Sequence, residues 1–234
     1  MQSLKKTLVY SMMIFGLSSG IALSAMATSF FTEMMTLAEQ EDVRAQSTIG
    51  YMYLNGEEVE QNYAEAARWY EKAAEKGNKE SQSALGKLYY EGKGVSQDYA
   101  KAVKWYEKAA EQDDVRAQYI IALMYGTGED IPQDYAKSAK WFQRAADLNF
   151  APAQYNLGIS YMKGRGLIQS YTNASKWYEK AAEQNYPSAQ YILGLQYYLG
   201  KGVRQSNRKA IEWFGKSCDS GIQEGCDQYR ELNE

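Results

Sequence analysis

Histidine is missing altogether from the 234 residues. With it go the usual general base, every Ser-His or Cys-His nucleophile pair and the commonest zinc ligand. An enzyme built on this chain has carboxylates, lysines and tyrosines alone for proton transfer. Cysteine is nearly absent: Cys218 and Cys226 are the two present, too few to complete a zinc site by themselves. Proline occurs three times and no Ser/Gly tract interrupts the chain, which leaves no candidate linker between domains. No run of basic residues is present, and acids outnumber bases 29 to 26. That balance disfavours nucleic acid as a partner. No residue set reads as a reaction centre, and neither a cofactor nor a metal is expected.

What the chain has is a period. All five tryptophans, Trp69, Trp105, Trp141, Trp177 and Trp213, stand 36 residues apart. A period of this length marks a solenoid, in which each unit buries its apolar face against its neighbours. Five units follow, at 42–77, 78–113, 114–149, 150–185 and 186–221, and the unbroken register argues for one continuous stack. In the unit 78–113 the spacing predicts a first helix from Glu80 to Tyr90 and a second from Asp98 to Glu111. Glycine follows the first helix in every unit (Gly56, Gly92, Gly128, Gly164, Gly200), where the chain turns left-handed. Asn62, Asp98, Asp134, Ser170 and Ser206 are good N-caps for the second helices. Gly77, Asp113, Asn149, Asn185 and Gly221 close them with residue types that tolerate a left-handed turn. Within the second helix, Ala102, Trp105, Tyr106, Ala109 and Ala110 form the packing stripe, and Lys101, Lys104, Glu107, Lys108 and Glu111 face water. Each indole removes about 150–250 Å² from solvent, worth about 4–6 kcal/mol before entropy is charged.

The pattern Ala-x-x-x-(Leu/Ile)-Gly-x-x-Tyr, then Gly-x-Gly-Val, then Asp-Tyr-x-x-Ala-x-x-Trp-Tyr-x-x-Ala-Ala-Glu resembles the Sel1-like repeat family of tetratricopeptide-like helical repeats. Ala153 to Tyr161, Gly92 to Val95 and Asp98 to Glu111 carry it. The resemblance implies an all-α, right-handed α-solenoid of five helix-turn-helix repeats. Half-repeat caps are expected at 28–41 and in a closing helix over 222–234. It also implies work through protein partners, in envelope signalling, complex assembly or host contact. Departures are mild: Ala122 replaces the first-helix glycine, Glu58 and Asp130 replace the second loop glycine, and Asn207 replaces the tyrosine after the cap.

Residues 1–27 have the layout of a secretory signal: Lys5 and Lys6, an apolar stretch from Leu8 to Leu23, then Ala25-Met26-Ala27 as cleavage site. The competing reading is an uncleaved inner-membrane anchor, since Thr7 to Thr32 carries no charge. Cleavage gives a periplasmic or secreted bacterial protein with no membrane span. Cys218 and Cys226 occupy the places of Ala182 and Gln190, at the end of one helix and the start of the next. A disulfide is expected there, compatible with an oxidising compartment and with the cysteine pairs of the resembled family. It would add about 2.5 kcal/mol by the loop-entropy argument. A metal site is the competing reading. Ser206 and Lys209 have the Ser-x-x-Lys spacing of penicillin-recognising enzymes, and some cysteine-bearing relatives are associated with penicillin binding or weak β-lactam hydrolysis. Because Asp98 and Lys101 occupy the same two places, Ser206 reads as a cap.

The functional clue lies in the first helices. Residues 117–128, 150–162 and 186–200 contain no charge. One row packs on the second helix; the other, Tyr119, Leu123, Tyr155, Ile159, Met162, Tyr191, Leu195 and Tyr198, is a strip at one-turn spacing. In the resembled repeats first helices line the concave wall, so the strip would form a groove for an extended or helical segment of another protein. Burial of the strip between neighbouring first helices is the alternative.

Overall fold

The computed structural model describes residues 30–234; the expected signal segment lies outside the described residues. Those residues form helices joined by short turns, with no strand among them. The chain falls into two compact units, one ending at Asp98 and the other starting at Tyr99, although the repeat register runs through that point unbroken.

The N-terminal unit holds α1 (30–39), α2 (Val43–Asn55), α3 (Tyr63–Glu75) and α4 (Lys79–Glu91). Helix α2 packs on α3 and α3 on α4. Ala38 of α1 joins Ala45, Ile49, Met52 and Trp69 in one core, flanked by Phe31, Met34 and Met35, so α1 covers the first repeat as a half unit would. The C-terminal unit holds α5 (Tyr99–Glu111), α6 (Val115–Thr127), α7 (Tyr135–Asp147), α8 (Ala151–Lys163), α9 (Tyr171–Glu183), α10 (Pro187–Leu199), α11 (Asn207–Asp219) and α12 (Gln223–Asn233). Each packs on the next in chain order. Every helix of the five repeats is 13 residues long, so the period in sequence is a period in structure. The architecture is an all-α solenoid.

Local chemistry sets the boundaries. The side chains of Asn62, Asp134, Ser170 and Ser206 accept from amides in the first turns of α3, α7, α9 and α11. Asp113, Asn149 and Asn185 take φ near +60° after α5, α7 and α9. Glu58 also adopts a left-handed φ of 65° in place of the loop glycine, whereas Asp130 does not. That glycine is needed for contact: a Cβ on Gly166 would lie 2.0 Å from the Tyr135 carbonyl oxygen, and one on Gly202 2.2 Å from that of Tyr171. In the repeats that keep this glycine, the loop presses on the start of the preceding repeat's second helix.

The tryptophans are core residues with one side turned outward. Trp69, Trp105, Trp141 and Trp213 are 2–9% exposed, and Trp177 is half-buried. A cation one turn on covers each ring: Lys72, Lys108, Lys180 and Lys216 lie 4.0–4.2 Å from the ring centre and Arg144 5.0 Å. Lys108, read from sequence as part of the solvated wall, is thus half-buried over Trp105. Its stem packs on apolar surface while its charge meets the ring face.

A device without a sequence forecast recurs at every junction. Gln46, Gln82, Gln118, Gln154 and Gln190 are buried, and each Nε2 donates to the carbonyl of an alanine eight residues earlier, at 2.9–3.3 Å. Each of these carbonyls also accepts from the backbone amide three residues on, as Ala110 does from Asp113 at 3.1 Å, so the glutamine fills its second lone pair and ties the two helices together. At the last junction those two positions are Cys218 and Cys226, which the structure joins in a disulfide with Cα atoms 4.5 Å apart.

Candidate polypeptide-binding strip

Helices α6, α8 and α10 present two apolar rows that differ in burial. Ile121, Leu157 and Leu193, facing their second helices, are 0–1% exposed. The eight strip residues named from sequence are all half-buried, none sealed and none fully exposed. Spacing by three and four residues places them along one side of each helix.

Three of the four strip tyrosines lean on aromatic rings. Tyr119 lies 5.9 Å from Phe142 and 5.3 Å from Phe150 between ring centres. Tyr155 lies 5.7 Å from Tyr178 and 5.2 Å from Tyr186. Tyr191 lies 5.8 Å from Phe214. Tilted and edge-on rings at these distances attract beyond simple burial. The Tyr119 hydroxyl accepts from Asn156 Nδ2 at 3.3 Å, and Met162 sulfur accepts from the Tyr178 hydroxyl at 3.8 Å. Burial, reinforced by the nearby Tyr186, holds the Tyr119 and Tyr155 phenols above their usual range, while the Asn156 bond pulls Tyr119 slightly back. Both stay neutral at physiological pH and can donate or accept.

Phe150 and Tyr186 are neighbours of the strip that sequence reasoning passed over. They occupy the N-cap positions of α8 and α10, where α2, α4 and α6 use the side chains of Asp42, Asn78 and Asp114. Neither aromatic can cap, and a proline stands in the first two positions of each of these helices instead. The signal was readable: two of the three prolines, Pro152 and Pro187, fall in the two repeats whose cap residue has turned aromatic.

The other candidates resolve differently. Ser206 Oγ accepts from the Lys209 backbone amide at 3.3 Å, while Lys209 Nζ lies 3.2 Å from the Tyr197 hydroxyl. Serine and ammonium are engaged with different groups, so the pair acts as cap and surface charge. Cys218 and Cys226 are bonded to each other in the disulfide.

Comparison with known proteins places this geometry. The chain is 34% identical, over 84% of its length, to c5321, a protective antigen present in uropathogenic Escherichia coli strains displaying an SLR fold, with a TM-score of 0.80. It spans 42% of that chain, less than half. It is 32% identical to a Sel1 repeat protein from Oxalobacter formigenes, covering 87% of this chain and 81% of the other, with a TM-score of 0.73. No curated protein matches it. No helix among the described residues is long and apolar enough to cross a membrane. The Sel1 repeat model matches at 43–78, 79–114, 115–150, 151–186 and 187–222, one residue later than the units drawn from sequence. With five consecutive matches spanning most of its length, the chain belongs to the Sel1 repeat family.

Proposed function

We propose that the protein is an exported adaptor that holds a segment of another polypeptide along the α6, α8 and α10 strip. The Sel1 repeat is a fold associated with protein–protein interaction, which supports the class of activity. The observation that carries the specific reading is the contrast between rows. The inner row is sealed, whereas the adjacent uncharged row keeps part of every side chain open over three consecutive repeats. Tyrosine suits such a surface, because its ring buries apolar area and its hydroxyl meets the backbone of a bound segment. Export rests on the signal layout of residues 1–27 and is supported by the disulfide, a bond that persists in oxidising compartments. The mature chain then begins at Thr28 and works in the periplasm or outside a bacterial cell. A relative described as a protective antigen suits that location.

The test is a photoreactive residue in place of Tyr155 in living bacteria, followed by mass spectrometry of the crosslinked products. A discrete adduct with another polypeptide is expected, and none from the same residue in place of Lys140 on the outer side of α7. Equal adducts from both positions, or none from either, would overturn the proposal. Intact-mass measurement of the exported protein should give a chain starting at Thr28; retention of residues 1–27 contradicts cleavage.

A further inference from the structure

We infer that the polypeptide held on this strip is acidic, and that the loops at the ends of α8 and α10 form a basic rim that selects it. This inference rests on the strip reading above and adds the chemistry of the partner. No Asp or Glu occurs over 148–178 or over 184–211. Within those spans Lys163 ends α8, Arg165, Lys201 and Arg204 stand in the two loops, and all four are exposed. None of the four is paired with a carboxylate among the described residues. The corresponding loops of the earlier repeats carry Glu57, Glu58 and Glu60 in the first, Lys93 paired with Glu91 at 2.8 Å in the second, and Glu129 and Asp130 in the third. Cations without a neighbouring carboxylate in the loop therefore occur only in the last two repeats, where the aromatic strip is fullest.

The rim adjoins the strip. Gln169 Nε2 donates to the Met162 carbonyl and Gln205 Nε2 to the Tyr198 carbonyl, both at 2.8 Å, which folds each loop back onto a strip residue. The two loops are also neighbours, since a Cβ on Gly202 would meet the Tyr171 carbonyl oxygen at 2.2 Å, at the start of α9 just beyond the first loop. Large apolar side chains stand open among the charges: Ile168 is 91% exposed, Leu199 53% and Tyr171 41%. Arg165 rests 5.2 Å over the Tyr135 ring, and none of the four cations meets a carboxylate among the described residues; interleaved with open apolar groups, they fit a segment that alternates carboxylates with aliphatic or aromatic residues. Complementary charge would steer such a segment and reject a basic one.

The experiment is selection from a random dodecapeptide library displayed on phage, using the exported full-length protein as bait. Peptides enriched about threefold or more in Asp and Glu, together with apolar residues, are expected, and a synthetic copy should lose about tenfold in affinity when its acids become Gln. The variant carrying Lys163→Glu, Arg165→Glu, Lys201→Glu and Arg204→Glu should select basic peptides instead. Strip variants Tyr155→Ala/Tyr191→Ala and, should those rings prove necessary for folding, Ile159→Gln/Leu195→Gln should lose the acidic peptides. Neutral apolar peptides that depend on the strip would overturn the acidic partner and leave the adaptor reading standing. Acidic peptides indifferent to both strip variants would keep the rim and sink the strip. Selection of nothing, or pelleting with anionic phospholipid vesicles in place of peptide binding, would overturn the inference.

Discussion

A single buried side chain, the junction glutamine, explains why the cysteines stand where they do. Ala38–Gln46 through Ala182–Gln190 tie each second helix to the next first helix by a hydrogen bond, and Cys218–Cys226 makes the same tie covalently. Substituting Gln118→Leu should cost about 0.5–1.5 kcal/mol in urea unfolding, because the Ala110 carbonyl keeps the Asp113 amide and loses only its second donor. Replacing Cys218→Ala together with Cys226→Gln should be more stable by about 1 kcal/mol than replacing both cysteines by alanine, since the glutamine restores the bond. The buried phenols give a second prediction at this scale. Burial pushes Tyr70 and Tyr178 well above the ordinary phenol range, with Tyr51 and Tyr155 adding smaller repulsions. The unfolded chain ionises near pH 10 and the folded one later, so stability is complete below about pH 10 and falls as pH rises toward the folded values. Tyr178→Phe should flatten that alkaline fall in urea titrations at pH 8 and 11. At pH 8 it should cost less than about 1 kcal/mol, since the hydroxyl donates only to a sulfur 3.8 Å away.

Between helices, the spacing of ring and glycine sets the fit. A Cβ on Gly158 would stand 2.6 Å from the Tyr178 ring, and one on Gly194 2.7 Å from the Phe214 ring. Gly158→Ala should therefore destabilise the chain by about 1–3 kcal/mol through overpacking, although alanine favours helix, and melting temperature reads the result. Repeat three carries Ala122 at this place, fully buried, opposite a second helix whose ring is Phe142. Helix boundaries, caps and the 36-residue period were legible in sequence, because they depend on side chains acting on their own backbone within a few residues. The cation over each indole and the junction glutamine were not singled out, although both repeat every 36 residues. A lysine beside a tryptophan reads as solvated wall, and a glutamine reads as surface, until the neighbouring helix is in place. The aromatic caps Phe150 and Tyr186 escaped for a related reason: their partners, Tyr119 and Tyr155, lie 31 residues earlier in the chain.

Across the molecule, charge and aromaticity are distributed unequally. Residues 28–98 hold 7 basic and 13 acidic side chains, whereas 99–234 hold 17 and 16, so the negative balance belongs to the N-terminal unit. The first helices of that unit carry Ser47 and Ser83 where the later repeats carry Tyr119, Tyr155 and Tyr191. The strip was legible in sequence as an uncharged row. Its partial occupation was not, because the rings that lean on it come from the second helices and from the starts of the following repeats. The central claim, that second helices bind the stack together while the first-helix strip of the C-terminal unit stays available to a partner, separates stability from binding. The most direct measurement takes the Tyr155→Ala/Tyr191→Ala chain and determines both its urea unfolding and its yield of the crosslinked partner, with the photoreactive residue in place of Ile159. The account predicts a stability loss of about 1–3 kcal/mol, for two half-buried rings, and a partner yield reduced at least about tenfold. An unchanged yield, or a stability loss of about 5 kcal/mol or more with the rings acting as sealed core, would contradict it.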